Sequence, residues 1–128
     1  MDPLTAAALE ARQRARAPFS GFAVGAALEE EDGRIFTGCN VESASYGLTM
    51  CAERVAAFRA VAEGGRRFRR LAVAADSEPL TPPCGACRQV LWELCGDVEI
   101  VLVSPKGARE SMRLSSLLPR PFDATFLD

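Results

Sequence analysis

The chain has 128 residues, 48% of them apolar and 25% charged, with fifteen basic against seventeen acidic residues and no histidine. Those values describe one soluble globular domain, residues 1–128, with enough chain to bury a real core. A formal charge of −2 argues against a nucleic-acid binder, which carries a basic surplus, and no apolar run reaches the length of a membrane span.

Asp2 and Pro3 read as an N-cap and first helical position, opening a helix through about Ala15. Its alanines are interrupted by Glu10, Arg12, Arg14 and Arg16, so it lacks a secretory core segment and points to the cytoplasm. Pro18 to Gly21 breaks the helix. Ala23 to Glu30 and Arg34 to Asn40 then read as strands around an Asp32-Gly33 turn, and Val41 to Met50 as a loop. From Cys51 to Glu63 small apolar residues recur at helical spacing until Gly64-Gly65 stops them. Arg66, Arg67, Arg69 and Arg70 read as an exposed helix-to-strand turn, with a phosphate-binding patch as the alternative. Leu71 to Ala75 is a buried strand, Cys84 to Leu94 a helix ending at Gly96, and Glu99 to Val103 another buried strand. The region of Met112 supplies a fifth strand, and Ser115 to Leu118 a last helical turn before Pro119. This order predicts an α/β domain with a mixed sheet, parallel in its inner portion, and helices on its faces.

Five cysteines, an odd number, include the Cys84-Gly85-Ala86-Cys87 pair. In a reducing compartment such spacing favours metal or redox chemistry over a disulfide scaffold. Cys51, Cys84 and Cys87 fall in the first turns of two predicted helices, where the backbone field and free N–H groups lower thiol pKa values. Sulfur-rich tetrahedral sites select zinc. Three protein ligands leave the position that a catalytic zinc keeps for water, and Glu53, two residues from Cys51, is placed to shuttle protons there. Arg54 follows as a group able to draw charge from three electron-rich sulfurs. Two alternatives stand beside this reading: a closed structural zinc completed by Cys39 or Cys95, and thiol redox chemistry. Cys95, near a helix end, reads as a buried small hydrophobe.

Removal of an amino group from a nucleobase uses such a set of ligands with a non-ligating Glu. Beyond the cysteines, Pro18-Phe19-Ser20 with Phe22, Val24-Gly25-Ala26-Ala27, Gly38-Cys39-Asn40-Val41-Glu42, Cys51-Ala52-Glu53-Arg54, Pro83-Cys84-Gly85-Ala86-Cys87-Arg88-Gln89 and Leu117-Leu118-Pro119 with Phe122 complete a pattern over most of the chain. In these motifs the chain resembles the small, homotetrameric, zinc-dependent cytidine deaminases. The resemblance implies a three-layer α/β/α fold with about five strands and one Zn2+ per subunit held by Cys51, Cys84 and Cys87. It implies proton transfer by Glu53, sugar binding by Asn40 and Glu42, and a wall beside the nucleoside from Phe22. It places the Ala52 N–H on the base carbonyl and Phe122 over a neighbouring subunit's site. Pro82 stands where the family often has Ser or Thr, but a proline keeps the backbone carbonyl used there. The implied reaction is hydrolytic deamination of free cytidine and 2′-deoxycytidine. A deaminase of a cytosine-nucleoside antibiotic or of polynucleotide cytosine, and a non-catalytic zinc module, are the alternatives.

Overall fold

The computed structural model describes residues 2–127, and its elements follow the expected order. Helix α1 spans Pro3–Arg12. The Asp2 carboxylate caps it, accepting the N–H of Leu4 at 2.9 Å and of Thr5 at 3.0 Å, and Pro3 sits where its missing N–H costs nothing. The helix ends at Arg12, short of Ala15. The amides of Arg14 and Ala15 turn back only three residues, to the carbonyls of Ala11 and Arg12. Arg16 is drawn away altogether. Its N–H donates to the Asn40 carbonyl and its own carbonyl accepts the Glu42 N–H, both at 2.9 Å. A long-range pairing overrides the local helix preference.

Strands β1 (Val24–Glu30) and β2 (Ile35–Cys39) form the expected hairpin, its turn set by Gly33 at φ 97° and by the Asp32 carboxylate accepting the Arg34 N–H at 3.0 Å. Then follow α2 (Ala52–Ala62), β3 (Phe68–Ala75), α3 (Gly85–Cys95), β4 (Glu99–Val103), β5 (Arg109–Arg113) and α4 (Leu114–Leu117), with short 3₁₀ turns at Tyr46–Leu48 and Ala124–Phe126. The sheet order is β2-β1-β3-β4-β5, with β3 and β4 parallel and the other pairs antiparallel. Strand β3 begins at Phe68, three residues before the apolar run. Arg69 and Arg70 are therefore strand residues, correcting their assignment to a turn, and Arg70 donates to both carboxylate oxygens of Glu29 on β1 at 3.1 and 3.3 Å.

Side chains alternate across the three central strands with period two. Ala26, Leu28, Leu71, Val73, Ile100 and Leu102 face α2 and α3, while Ala27, Ala72, Ala74, Val101 and Val103 face α1. The result is a three-layer α/β/α domain. Two glycines set the spacing between layers. A Cβ on Gly25 would strike the backbone of Ala8 and Arg12 in α1, and one on Gly38 would lie 2.5 Å from both the Ala52 carbonyl oxygen and the Ala56 nitrogen in α2. Gly38 thereby lets the first turn of α2 rest directly on β2, and that turn carries Cys51, Ala52 and Glu53.

Glu30 closes the other end of β1. Its carboxylate accepts the backbone N–H groups of Arg66 at 2.8 Å, Arg67 at 3.2 Å and Glu31 at 3.0 Å. The Arg66 N–H foremost holds its carboxyl below the usual carboxylate range. A carboxyl whose folded pKa is depressed stabilises the fold above its unfolded pKa and stops doing so as pH falls through the folded value. Glu30→Gln is therefore expected to lower Tm at neutral pH, with the gap to the parent closing towards about pH 3. Thermal melts across that range check it, and a pH-independent gap would contradict it.

Candidate metal and catalytic site

Cys51 and Cys84 are the N-cap residues of α2 and α3, and Cys87 is the third residue of α3. Neither cap uses its side chain to bond the helix amides, so the sulfurs remain free to point at each other. The three Sγ atoms lie within 4.8 Å of one another, and those of Cys51 and Cys84 are 3.8 Å apart. Four tetrahedral bonds of about 2.3 Å set sulfur–sulfur edges of about 3.8 Å, so the donor set and its spacing fit zinc. Cys39 and Cys95 are elsewhere. Cys39 donates its thiol to the Arg14 carbonyl at 3.4 Å, and Cys95, at the end of α3, has its thiol pushed up to about 12 by burial. Among the described residues the metal-ligating group therefore consists of three cysteines, and the four-cysteine closed site expected as an alternative is not formed.

Charge explains why a cation belongs here. Hydrogen bonding from Cys87, with Arg54 assisting, lowers the Cys51 thiol, while that same contact, burial and the nearby Glu53 charge raise Cys87. One sulfur ionises readily at the expense of its neighbour. A dication removes that penalty and lets all three serve as thiolates. Arg54 Nη2 donates to Cys51 Sγ at 3.5 Å, and its buried Nε finds no hydrogen-bond partner among the described residues. Arg54→Gln is expected to keep zinc bound while lowering turnover about 10- to 100-fold, read from steady-state rates beside metal content. Unchanged turnover would remove Arg54 from the site.

Glu53 is the second residue of α2 and only 4% exposed. Burial pushes its carboxyl up to about 7, with the Cys51 charge adding to the rise. A cation among the sulfurs would pull it down again. Ala52, fully buried, is the first residue of α2, where helix amides lack an intrahelical acceptor.

The residues expected to meet the sugar arrive by a different route. Val41 and Met50 exchange both backbone hydrogen bonds, at 3.0 and 2.9 Å. That bridge sets the segment of Asn40 and Glu42 alongside the residue preceding Cys51. Asn40 is buried. Its Oδ1 accepts the Val24 N–H at 2.9 Å and its Nδ2 donates to the Phe22 carbonyl at 2.8 Å. Glu42 is half-buried at the edge of a cavity of about 340 Å³ lined by Phe19, Ser20, Glu42, Ser43, Tyr46 and Thr49. Phe22 lies just before β1 and is 39% exposed, so it is not a core residue.

Phe122 is 55% exposed and stacks on Phe126 with ring centroids 5.6 Å apart. What holds its segment in place escaped the sequence reading. Arg88 donates to the carbonyls of Pro83 at 2.7 Å and Leu117 at 2.9 Å, Gln89 to that of Phe122 at 2.6 Å, and Trp92 Nε1 to the Asp123 carboxylate at 3.1 Å. The helix that presents Cys87 thus also fastens the C-terminal segment. The signal was the helical spacing of Arg88, Gln89 and Trp92, which places three donors on one stripe.

Residues 2–104 match the family described as the cytidine and deoxycytidylate deaminase zinc-binding region. A cytidine deaminase of Sporosarcina psychrophila is 48% identical over 123 residues, 95% of this chain and 90% of the relative. One of Halalkalibacterium halodurans is 49% identical over 118 residues, 91% and 89% of the two chains. The crystal structure of cytidine deaminase from Burkholderia pseudomallei superposes with a TM-score of 0.91 at 47% identity, covering 95% of this chain and all (100%) of that one. Agreement of sequence, fold and sulfur cluster over this much of the molecule has one meaning: the chain belongs to the zinc-dependent cytidine deaminases.

Proposed function

We propose that this protein hydrolytically deaminates free cytidine and 2′-deoxycytidine to uridine and 2′-deoxyuridine, with release of ammonia, as a pyrimidine-salvage enzyme of the cytoplasm. The observation that carries the reading is the three-thiolate cluster with a buried carboxyl two residues from one of its members. Cys51, Cys84 and Cys87 would hold the zinc ion, which when bound supplies Lewis acidity that makes a hydroxide nucleophile accessible near neutral pH.

The remaining work falls to the chain's own groups. Glu53 takes the proton released from water as general base and gives it to N3 of the pyrimidine, making C4 electrophilic. After addition at C4, the same carboxylate takes the second proton from the new C4 hydroxyl and hands it to the amino group, which departs as ammonia as the C4 carbonyl forms, so one side chain serves as base and acid in turn. The Ala52 N–H, at the positive end of α2, donates to the base carbonyl oxygen. Asn40 and Glu42 hold the sugar, and Phe22 walls the nucleoside. A carboxylate beside the sugar repels a 5′-phosphate, which favours nucleosides over nucleotides.

Phe122 is proposed to cover the site of a neighbouring subunit in a homotetramer. Its exposure, with that of Phe19, Tyr46, Leu48, Phe126 and Leu127, supports an apolar surface that another copy covers. Free cysteines throughout suit a reducing compartment. The test compares cytidine, cytidine 5′-monophosphate and single-stranded DNA as substrates at matched cytosine concentration. Rapid loss of cytidine absorbance with slow turnover of the other two is expected. Equal rates on the monophosphate would overturn the nucleoside preference, and preference for the polynucleotide would overturn the assignment.

A further inference from the structure

The side chains of Asn40 and Glu42 both grip the segment that leads from α1 into β1. Asn40 ties down Phe22 and Val24. Glu42 is held more fully: Oε1 accepts the N–H groups of Phe19 at 3.0 Å and Ser20 at 3.1 Å, and Oε2 accepts the Ser20 hydroxyl. The same Ser20 oxygen accepts the Phe22 N–H at 3.0 Å. A single hydroxyl therefore joins a carboxylate on one strand segment to the backbone that carries an aromatic ring on the other.

A carboxylate offers about four acceptor positions. Among the described residues two are filled on Oε1 and one on Oε2, which leaves Oε2, the oxygen that Ser20 orients, with room for a further donor. A half-buried glutamate at the edge of a cavity would otherwise sample several rotamers, and ordering it in advance removes that loss from the binding step. Ser20 donates its one proton to Glu42 and accepts from Phe22, so its donor is committed to Glu42 and not to a ligand.

We propose, resting on the nucleoside reading above, that Ser20 is a positioning residue for sugar selectivity: it locks Glu42 so that a single sugar hydroxyl donates to Oε2. Ser20 does not touch the reacting atoms. Its loss releases Oε2 while leaving the two backbone donors on Oε1, so the carboxylate stays nearby but loses its fixed direction. Any displacement of Phe22 that follows affects every nucleoside alike and cancels in a ratio of two substrates.

The experiment measures kcat and KM for cytidine and 2′,3′-dideoxycytidine, which lacks both ring hydroxyls. The enzymes are the zinc-loaded parent, Ser20→Ala, Ser20→Thr, Glu42→Gln and the Ser20→Ala/Glu42→Gln pair. Ser20→Ala is expected to reduce the kcat/KM preference for cytidine roughly tenfold, mainly through a higher KM. Ser20→Thr is expected to restore the preference, and adding Ser20→Ala to Glu42→Gln to change it no further. An unchanged preference in Ser20→Ala, with both substrates losing equally, would overturn the proposal, as would a full additional loss on the Glu42→Gln background. A parent inactive on cytidine would instead defeat the nucleoside reading; an active parent whose preference survives Glu42→Gln would defeat the role of Glu42 and this proposal with it. If Ser20→Ala melts out at assay temperature, Ser20→Cys, a near-isosteric weak donor, carries the same comparison.

Discussion

Glu53→Gln is expected to bind zinc and cytidine like the parent while turnover falls by roughly 1,000- to 10,000-fold or more. The substitution keeps the size of a side chain that is 4% exposed, so packing around the first turn of α2 is preserved. What disappears is an exchangeable proton. Each general acid–base transfer contributes about 100- to 10,000-fold, and this one carboxyl is asked to move two protons in turn, one from water to N3 and one from the C4 hydroxyl to the leaving amine. An amide can do none of these. Metal content, nucleoside affinity and single-turnover rate, measured on the same preparation, separate the chemical loss from a binding loss. A variant that retains near-parental turnover would remove Glu53 from its proposed role.

Cys87→Ser is expected to lose zinc and, with it, activity. Cys87 is the fully buried member of the cluster, and its backbone is held in α3 while its sulfur meets Cys51 and Cys84. A serine hydroxyl is shorter, harder and far less acidic than a thiol, so it does not replace a thiolate ligand to zinc. The loss of affinity should exceed the roughly 100-fold that removal of a supporting contact costs. Because Cys87 also belongs to the buried interior, Cys84→Ser serves as the companion variant: Cys84 is exposed, so its substitution removes a ligand with little effect on packing. Zinc content by atomic absorption, alongside thermal melts, checks both. Stoichiometric zinc in the two variants would contradict the three-ligand site.

How much of this was legible in the sequence depends on the range over which each feature is encoded. Cys84 and Cys87 are three apart at a helix start, and Cys51 and Glu53 two apart at another, so local spacing announced both halves of the cluster. The hairpin was equally local, since Asp32-Gly33 carries its own turn chemistry. The end of α1 was not. Ala15 is as good a helix former as Ala11, and only the pairing of Arg16 with Asn40 and Glu42, distant in sequence, ends the helix at Arg12. The start of β3 was hidden because Arg69 and Arg70 look like a solvated charge run until Glu29 on the neighbouring strand accepts from Arg70.

The same division runs through the site. Gly38 reads as an ordinary strand glycine, yet it is the point where α2 touches β2 and so decides where Cys51 and Glu53 sit. Asn40 and Glu42 are two apart, a spacing that puts both on one side of an extended segment, and their side chains both reach towards residues 19–24. That Ser20 joins Glu42 to Phe22 could not be read from the chain, because the contact spans 22 residues and depends on the bridge between Arg16 and Val41.

The most direct measurement follows cytidine absorbance in one preparation as purified, after complete chelation, and after stepwise return of zinc. Activity is expected to vanish with the metal and to recover in proportion, reaching its full value at one zinc per chain. Full activity in the metal-free protein, or no deamination of cytidine at any zinc content, would contradict the account.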